Sequence, residues 1–221
     1  EVRKIIVAGE PGGSSPEIRR RIREVWGGAE VFDHYGMTEV GPVAYETPGG
    51  EGGLRVILDS FLAEVVCPES GEPVADGESG ELVLTSFGRA GCPVLRYRTG
   101  DLVLPCWGED DAGQPTLDLI GGILGRVDDM VVVRGVNLYP AAVDAVVRRF
   151  GEVTEYQVEI DEVSAMTEMT LKVETTPEVA QTLEKALTDA FSLRIPVEPV
   201  EPGTLPRFEM KARRWIRQGS E

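Results

Sequence analysis

The segment Asp33-His34-Tyr35-Gly36-Met37-Thr38-Glu39 combines side chains suited to handling a nucleotide. An aromatic ring at the end of a strand offers a face for stacking on a base. The adjacent Gly36 lets the backbone approach a ligand closely. Thr38 offers a hydroxyl to a phosphate, and Glu39 offers a hard oxygen ligand to Mg²⁺. A second group is Leu95-Arg96-Tyr97-Arg98-Thr99-Gly100-Asp101, in which a carboxylate after a glycine turn suits acceptance of two ribose hydroxyls. The third is Gly125-Arg126-Val127-Asp128-Asp129-Met130, followed by Arg134-Gly135-Val136-Asn137. Consecutive acidic residues at a change of composition favour an exposed linker able to act as a hinge. Taken singly, the first group is more often a strand-end turn with a buried tyrosine, the second is equally a solvated hairpin aspartate, and the third would be merely a surface loop.

The elements that must position these groups follow from the flanking pattern. Arg3 to Glu10 reads as a buried strand ending at a polar turn. Ser14 or Ser15 then caps a helix with Pro16 at its first position. Ile18, Ile22, Val25 and Trp26 fall on one face of that helix, which ends at Gly27-Gly28. A short strand, Glu30 to Asp33, leads into the first group; ligands of such α/β arrangements sit at the carboxyl ends of strands. From about residue 54 to 125 the chain changes to short β-like runs separated by Gly/Pro/Asp-rich turns, as in a small antiparallel sheet or barrel. Beyond residues 126–129 comes a further pattern. Val131 to Arg134 reads as a strand, and Pro140 opens a helix with Val143, Val146, Val147 and Phe150 inward. Strand-like runs at Glu155–Ile160 and Met166–Glu174 follow. Thr176-Pro177-Glu178 then starts a helix carrying Val179, Leu183, Leu187 and Phe191. The order β-α-β-β-α-β predicts a split βαβ domain of α+β type.

Composition narrows the functions open to the chain. The 221 residues carry 22 Lys+Arg against 38 Asp+Glu, a formal net charge of −16. That opposes the electrostatic footprint of a nucleic-acid binder. Binding an anion such as ATP would therefore need a divalent ion, a few placed cations and backbone N–H groups. Cys67, Cys92 and Cys106 are odd in number and widely spaced, which fits reduced thiols in a cytoplasmic protein. The single histidine, His34, rules out any site that needs several histidine ligands. No apolar run approaches the ~20 residues that span a bilayer, and no basic-then-apolar leader opens the sequence. Neither membrane insertion nor secretion is expected.

Together, in this order and spacing, the three groups resemble the motifs of the adenylate-forming superfamily of acyl-CoA synthetases, adenylation domains and luciferases. Within it, Tyr35-Gly36-Met37-Thr38-Glu39-Val40-Gly41-Pro42 and Arg134-Gly135-Val136-Asn137-Leu138-Tyr139-Pro140 look most like the phenylacetate–CoA ligase branch. The resemblance implies the end of a Rossmann-like α/β nucleotide-binding subdomain at 1–53 and a small β-barrel-like subdomain at 54–127. A mobile, ferredoxin-like C-terminal domain would occupy 128–221. It implies that Gly9-Glu10-Pro11 and Asp33-His34-Tyr35 flank the adenine, with Gly36 beside them. Thr38 would touch the α-phosphate, Glu39 would hold Mg²⁺ and Asp101 would hold the ribose. Arg126 would lie beside ribose or phosphate, Asp128 at the hinge, and Gly135 in the loop lining the thiol-side tunnel. Near the end, Pro206-Arg207-Phe208-Glu209-Met210-Lys211 resembles the motif whose lysine bridges substrate carboxylate and α-phosphate, making Lys211 the candidate. Met210 stands where the family commonly has glycine.

The activity so implied is an ATP-dependent carboxylate–CoA ligase acting on a small aromatic acid. A carrier-protein thiol as acceptor, or a piece that binds nucleotide without turnover, is the alternative. Relatives in this branch often carry a Cys/His metal cluster. The corresponding stretches here are Glu46-Thr47-Pro48, Arg55 and Cys106-Trp107-Gly108, from which a tetrahedral zinc site cannot be assembled. The family's Ser/Thr/Gly-rich phosphate loop lies upstream of Gly9-Glu10-Pro11. The chain is therefore expected to be the C-terminal part of a larger enzyme, partnered by the missing N-terminal portion.

Overall fold

A computed structural model describes residues 2–8, 13, 15–47, 53–75, 77–161, 167–208 and 213–218. The chain divides into two compact units, Glu1–Asp128 and Asp129–Glu221. The first is built on one eight-stranded sheet, with strands β1 (Lys4–Ala8), β2 (Glu30–Met37), β3 (Gly41–Tyr45), β4 (Leu54–Val56), β5 (Phe61–Val66), β6 (Gly80–Ser86), β7 (Tyr97–Glu109) and β8 (Pro115–Arg126). Their spatial order is β1-β2-β3-β4-β8-β7-β6-β5. Only β1 and β2 are parallel, Lys4 opposite Glu30 and Ala8 opposite His34, joined through helix α1 (Pro16–Val25). The remaining neighbours pair antiparallel. The stretches 1–53 and 54–127 thus share a single sheet. Its core gathers Val43, Leu54, Phe61, Leu82, Leu84, Val103, Leu117 and Leu119, all buried.

Two local expectations for this unit are corrected. Within this chain β1 is not buried: among the described strands it pairs with β2 alone, at the sheet edge, and Ile6 is 64% exposed. α1 does begin with Pro16 after Ser15, and Gly27 and Gly28 follow its end at positive φ. Its buried residue, however, is Arg19, while Val25 and Trp26 are exposed. The cause is polar. Arg19 donates from Nη1 to the Gly13 carbonyl (3.0 Å) and from Nη2 to the Val31 carbonyl (2.7 Å) and Glu46 Oε1 (2.7 Å). Those bonds hold the Arg19 side of the helix on the sheet, with Ile18 and Ile22 of the expected apolar face half-buried and Arg20, Arg21 and Arg23 exposed. Arg55, meanwhile, is bidentate on Asp118 across the β4–β8 pair.

The second unit holds a two-stranded hairpin, β9 (Val131–Val133) and β10 (Val136–Leu138), helices α2 (Pro140–Val147) and α3 (Pro177–Phe191), and a four-stranded sheet. That sheet has the order β13 (Val197–Val200), β12 (Glu168–Glu174), β11 (Tyr156–Asp161), β14 (Trp215–Gln218). The strand at 131–134 belongs to the hairpin and not to the sheet. Arg134 and Gly135 both have positive φ, 49° and 82°, the two-residue turn geometry that folds a strand straight back on itself. β14 takes the parallel place beside β11. Val143, Val146 and Val147 of α2 and Ala180, Leu183 and Leu187 of α3 bury against β11 and β12 in one core.

Candidate functional site

The carboxyl ends of the parallel pair open into a shallow cleft of about 370 Å³, lined by Ala8, His34, Gly36, Met37, Thr38, Gly41 and Pro42. The wall is set by an irregularity in the β2–β3 pairing between Tyr35 and Gly36. A Cβ on Gly36 would stand 2.6 Å from the Gly41 carbonyl oxygen and 3.1 Å from Pro42 Cα. Glycine is therefore required there by the approach of β3 itself, in addition to anything a ligand needs. Thr38 and Glu39 are exposed in the turn that joins the two strands.

Because neighbouring residues of a strand face opposite sides, Tyr35 departs from the cleft-lining His34 and Gly36. Its hydroxyl donates a 2.5 Å hydrogen bond to Asp101 Oδ2. Asp101 is buried on β7, opposite Arg126 of β8. Arg126 Nη1 reaches Asp101 Oδ1 at 3.3 Å and the Thr99 carbonyl at 3.4 Å. The other side of the same guanidinium grips Asp128, Nε to Oδ1 at 2.8 Å and Nη2 to Oδ2 at 3.2 Å. Tyr35, Asp101, Arg126 and Asp128 thus form one chain of charge-assisted hydrogen bonds, ending at the last residue of the first unit.

The charges in this chain pull in opposite directions. Burial raises the Asp101 pKa, while the Tyr35 hydroxyl and the Arg126 cation oppose that rise. Tyr35 is itself raised, first by burial and then by the Asp101 charge, so its proton stays on the phenol. Asp128 is lowered by its hydrogen bonds from Arg126. The turn before Asp101 is held as firmly. Gly100 has φ +75°, and a Cβ there would meet Arg126 Nη2 at 2.6 Å. The Gly100 N–H donates to Glu81 Oε1 at 3.0 Å, and Glu81 also accepts from Arg98. Thr99 Oγ1 accepts from the Asp101 N–H (3.1 Å) and donates to the Leu82 carbonyl (2.8 Å).

Glu81 and Thr99 escape sequence reasoning. Glu81 looks like the polar first residue of a strand, and nothing in its spacing announces a buried carboxylate. The other candidates are placed as follows. Asp33 is buried with its carboxylate toward Gly13, where a Cβ would lie 2.7 Å from Oδ2. Its backbone N–H donates to Glu46 Oε2 at 2.9 Å. Gly135 lies in the β9–β10 turn of the second unit. Gly9, Glu10, Pro11 and Lys211 lie outside the described residues. A single exposed carboxylate, Glu39, beside a hydroxyl, Thr38, fits Mg²⁺, which takes one or two carboxylates and completes its shell with waters and substrate phosphates.

A parallel strand pair opening into a cleft at its carboxyl ends, with a carboxylate–guanidinium pair on the same sheet, is the place where open α/β sheets bind their ligands. Comparison with known proteins makes the class specific. The family model for AMP-binding enzymes matches residues 1–90, and that for the AMP-binding enzyme C-terminal domain matches residues 135–218. The chain is 39% identical over 160 residues to a phenylacetate-coenzyme A ligase of Thermus thermophilus, covering 71% of this chain and 36% of that protein. It is 33% identical over 212 residues to the phenylacetate-coenzyme A ligase of Escherichia coli, covering 89% and 46%. Among solved structures, 2-hydroxyisobutyryl-CoA ligase in the postadenylation state, in complex with 2-HIB-AMP, is similar with a TM-score of 0.85 at 31% identity. That match covers 98% of this chain and 48% of the other. The chain belongs to the adenylate-forming, AMP-binding enzyme superfamily, and it spans less than half the length of these relatives. Among the described residues, no helix is long and apolar enough to cross a membrane.

Proposed function

We propose that the protein carrying this chain is an ATP-dependent carboxylate–CoA ligase that activates an aryl or arylacetic acid as its acyl-adenylate. The observation that carries the reading is the Tyr35–Asp101–Arg126–Asp128 hydrogen-bond chain, which starts one residue from the cleft. The similarity to phenylacetate-coenzyme A ligases supports the acid class.

In this reading Asp101 accepts the ribose hydroxyls, and His34, Tyr35 and the Gly9–Pro11 and Asp33–Gly36 segments surround the adenine. Thr38 meets the α-phosphate. Mg²⁺ held by Glu39 would neutralise phosphate charge. A carboxylate oxygen of the acid attacks the α-phosphorus, and the bond to pyrophosphate breaks. Lys211 stabilises the charge that develops there. The domain after Asp128 then rotates, exchanging Lys211 for the Gly135 turn, so that one pocket serves two chemistries. The CoA thiolate attacks the acyl carbonyl, and AMP leaves with the electron pair. The reading also assigns 1–53 to the nucleotide-binding subdomain, 54–127 to a β subdomain and 128–221 to the mobile domain. It takes the protein to be cytoplasmic, with the rest of the same enzyme as this chain's partner.

The test is pyrophosphate release from ATP by the full-length protein across a panel of aromatic and aliphatic acids, with the thioester product identified. Release that depends on an aromatic acid, followed by acyl-CoA formation, is expected. Acylation of a carrier protein without acyl-CoA would replace CoA as the acceptor, and acid-independent release of phosphate would refute ligase activity.

A further inference from the structure

The tyrosine of the first motif does more in this fold than present a ring. Its hydroxyl hydrogen bonds to Asp101 Oδ2 while Arg126 Nη1 approaches Oδ1, so each carboxylate oxygen already has one donor. The Asp101 backbone is held separately through Thr99 Oγ1. An ionised carboxylate offers about four lone-pair sites, so with the donors among the described residues an acceptor position remains on each oxygen. Tyr35 itself packs against the first unit's core, which fixes the phenol that fixes the carboxylate.

We propose that the Tyr35 hydroxyl is a positioning group for ribose recognition: by locking the Asp101 carboxylate with one acceptor site free on each oxygen, it makes the site selective for ribonucleotides over deoxynucleotides. This rests on Asp101 being the ribose acceptor. A pair of fixed acceptors on one carboxylate matches the two hydroxyls of a vicinal diol, and a nucleotide lacking one of them leaves one acceptor unmatched. Without the phenol, the carboxylate turns about its Cβ–Cγ bond. It also loses one of the two donors that oppose the neutralising effect of burial. Recognition of the diol then falls, while stacking of the base does not.

The experiment is equilibrium binding of AMP and 2′-deoxy-AMP to the full-length protein and to its Tyr35→Phe and Asp101→Asn variants. The wild-type protein should prefer AMP by about ten-fold or more, the scale of one hydrogen bond to a charged group. Tyr35→Phe should bring that ratio to within about three-fold of unity and change 2′-deoxy-AMP affinity by less than about three-fold. A wild-type ratio in Tyr35→Phe, with the ratio lost in Asp101→Asn, would overturn this inference alone. A ratio unchanged in Asp101→Asn, or no AMP binding by the full-length wild-type protein, would remove the ribose reading and the inference with it. If Tyr35→Phe does not fold, the wild-type protein still decides. The ¹³Cζ resonance of Tyr35 should move on AMP addition by at least twice its movement with 2′-deoxy-AMP, and equal movements contradict the proposal.

Discussion

Replacing Lys211 with alanine in the full-length protein is expected to slow acyl-adenylate formation by about 10²- to 10³-fold, the scale for loss of one preorganised charge-stabilising group. Conversion of supplied acyl-adenylate to thioester should stay within a few-fold of wild type. The asymmetry follows from the two states of the proposed cycle: the lysine serves the step in which charge develops at the α-phosphate and is withdrawn for the next. Two arginines near it in the sequence are held by the second unit's carboxylates. Arg207 donates to both oxygens of Glu174, Nη1 to Oε1 at 2.9 Å and Nη2 to Oε2 at 2.6 Å. Glu174 is fully buried, also accepts the Leu205 N–H at 2.8 Å, and is held far below the usual carboxylate range by these donors, Arg207 first. On the other side Arg214 donates to Glu155 Oε1 at 2.7 Å and Oε2 at 3.3 Å. Arg207 and Arg214 are thus committed to carboxylates at the ends of the four-stranded sheet. Measuring the two half-reactions separately checks the prediction, and equal loss in both would remove the role assigned to Lys211.

The second large effect is on stability. Glu46→Ala should destabilise the first unit by about 3–5 kcal/mol, the range for removing one partner of a buried ion pair. The side chains of Arg19 and Glu46 are only 5% and 3% exposed. Truncation would leave the Arg19 cation with its carbonyl acceptors and no counter-charge, and would orphan the Asp33 N–H that Glu46 Oε2 accepts. Domains are stable by only about 5–15 kcal/mol, so the loss would be a large share of the total. Replacing both partners together with apolar residues of similar volume should recover most of it. Urea unfolding of the single and double variants reads both quantities. A shift under about 1 kcal/mol for Glu46→Ala would mean that water, and not the pair, carries these groups.

The two helices of the second unit were legible because their signals are local. Pro140 and Pro177 sit at first helical positions, and the valines and leucines repeat at helical spacing. β1 and α1 misled for the opposite reason. Ile5-Ile6-Val7 has the composition of a buried parallel strand, and its place at an edge of this chain's sheet depends on strand order, which local composition does not carry. The α1 face was chosen by apolar spacing, whereas its packing is decided by an arginine whose partner lies 27 residues away. The β7–β8 hairpin was equally obscure, since its pairing shifts register twice near Leu102, Val103 and Pro105 and breaks the alternation that marks a strand.

The candidate site divides along the same line. Residue types, their order and the family resemblance they carry were what brought Tyr35, Asp101, Arg126 and Asp128 forward as candidates. Their connection was not legible, because the Tyr35–Asp101 bond spans 66 residues and depends on the sheet order that brings β2 and β7 into reach. Gly36 carried a signal with a second cause, since it admits β3 as well as leaving room at the cleft.

The central claim is that the carboxylate is activated at the α-phosphorus, giving AMP. Carboxylic acid substrate labelled with ¹⁸O in both carboxyl oxygens, turned over by the full-length protein with ATP and CoA, tests it most directly. One labelled oxygen should appear in the phosphate of AMP, because cleavage of the acyl-adenylate leaves that oxygen on phosphorus. Label in inorganic phosphate, with ADP as the nucleotide product, would contradict the claim.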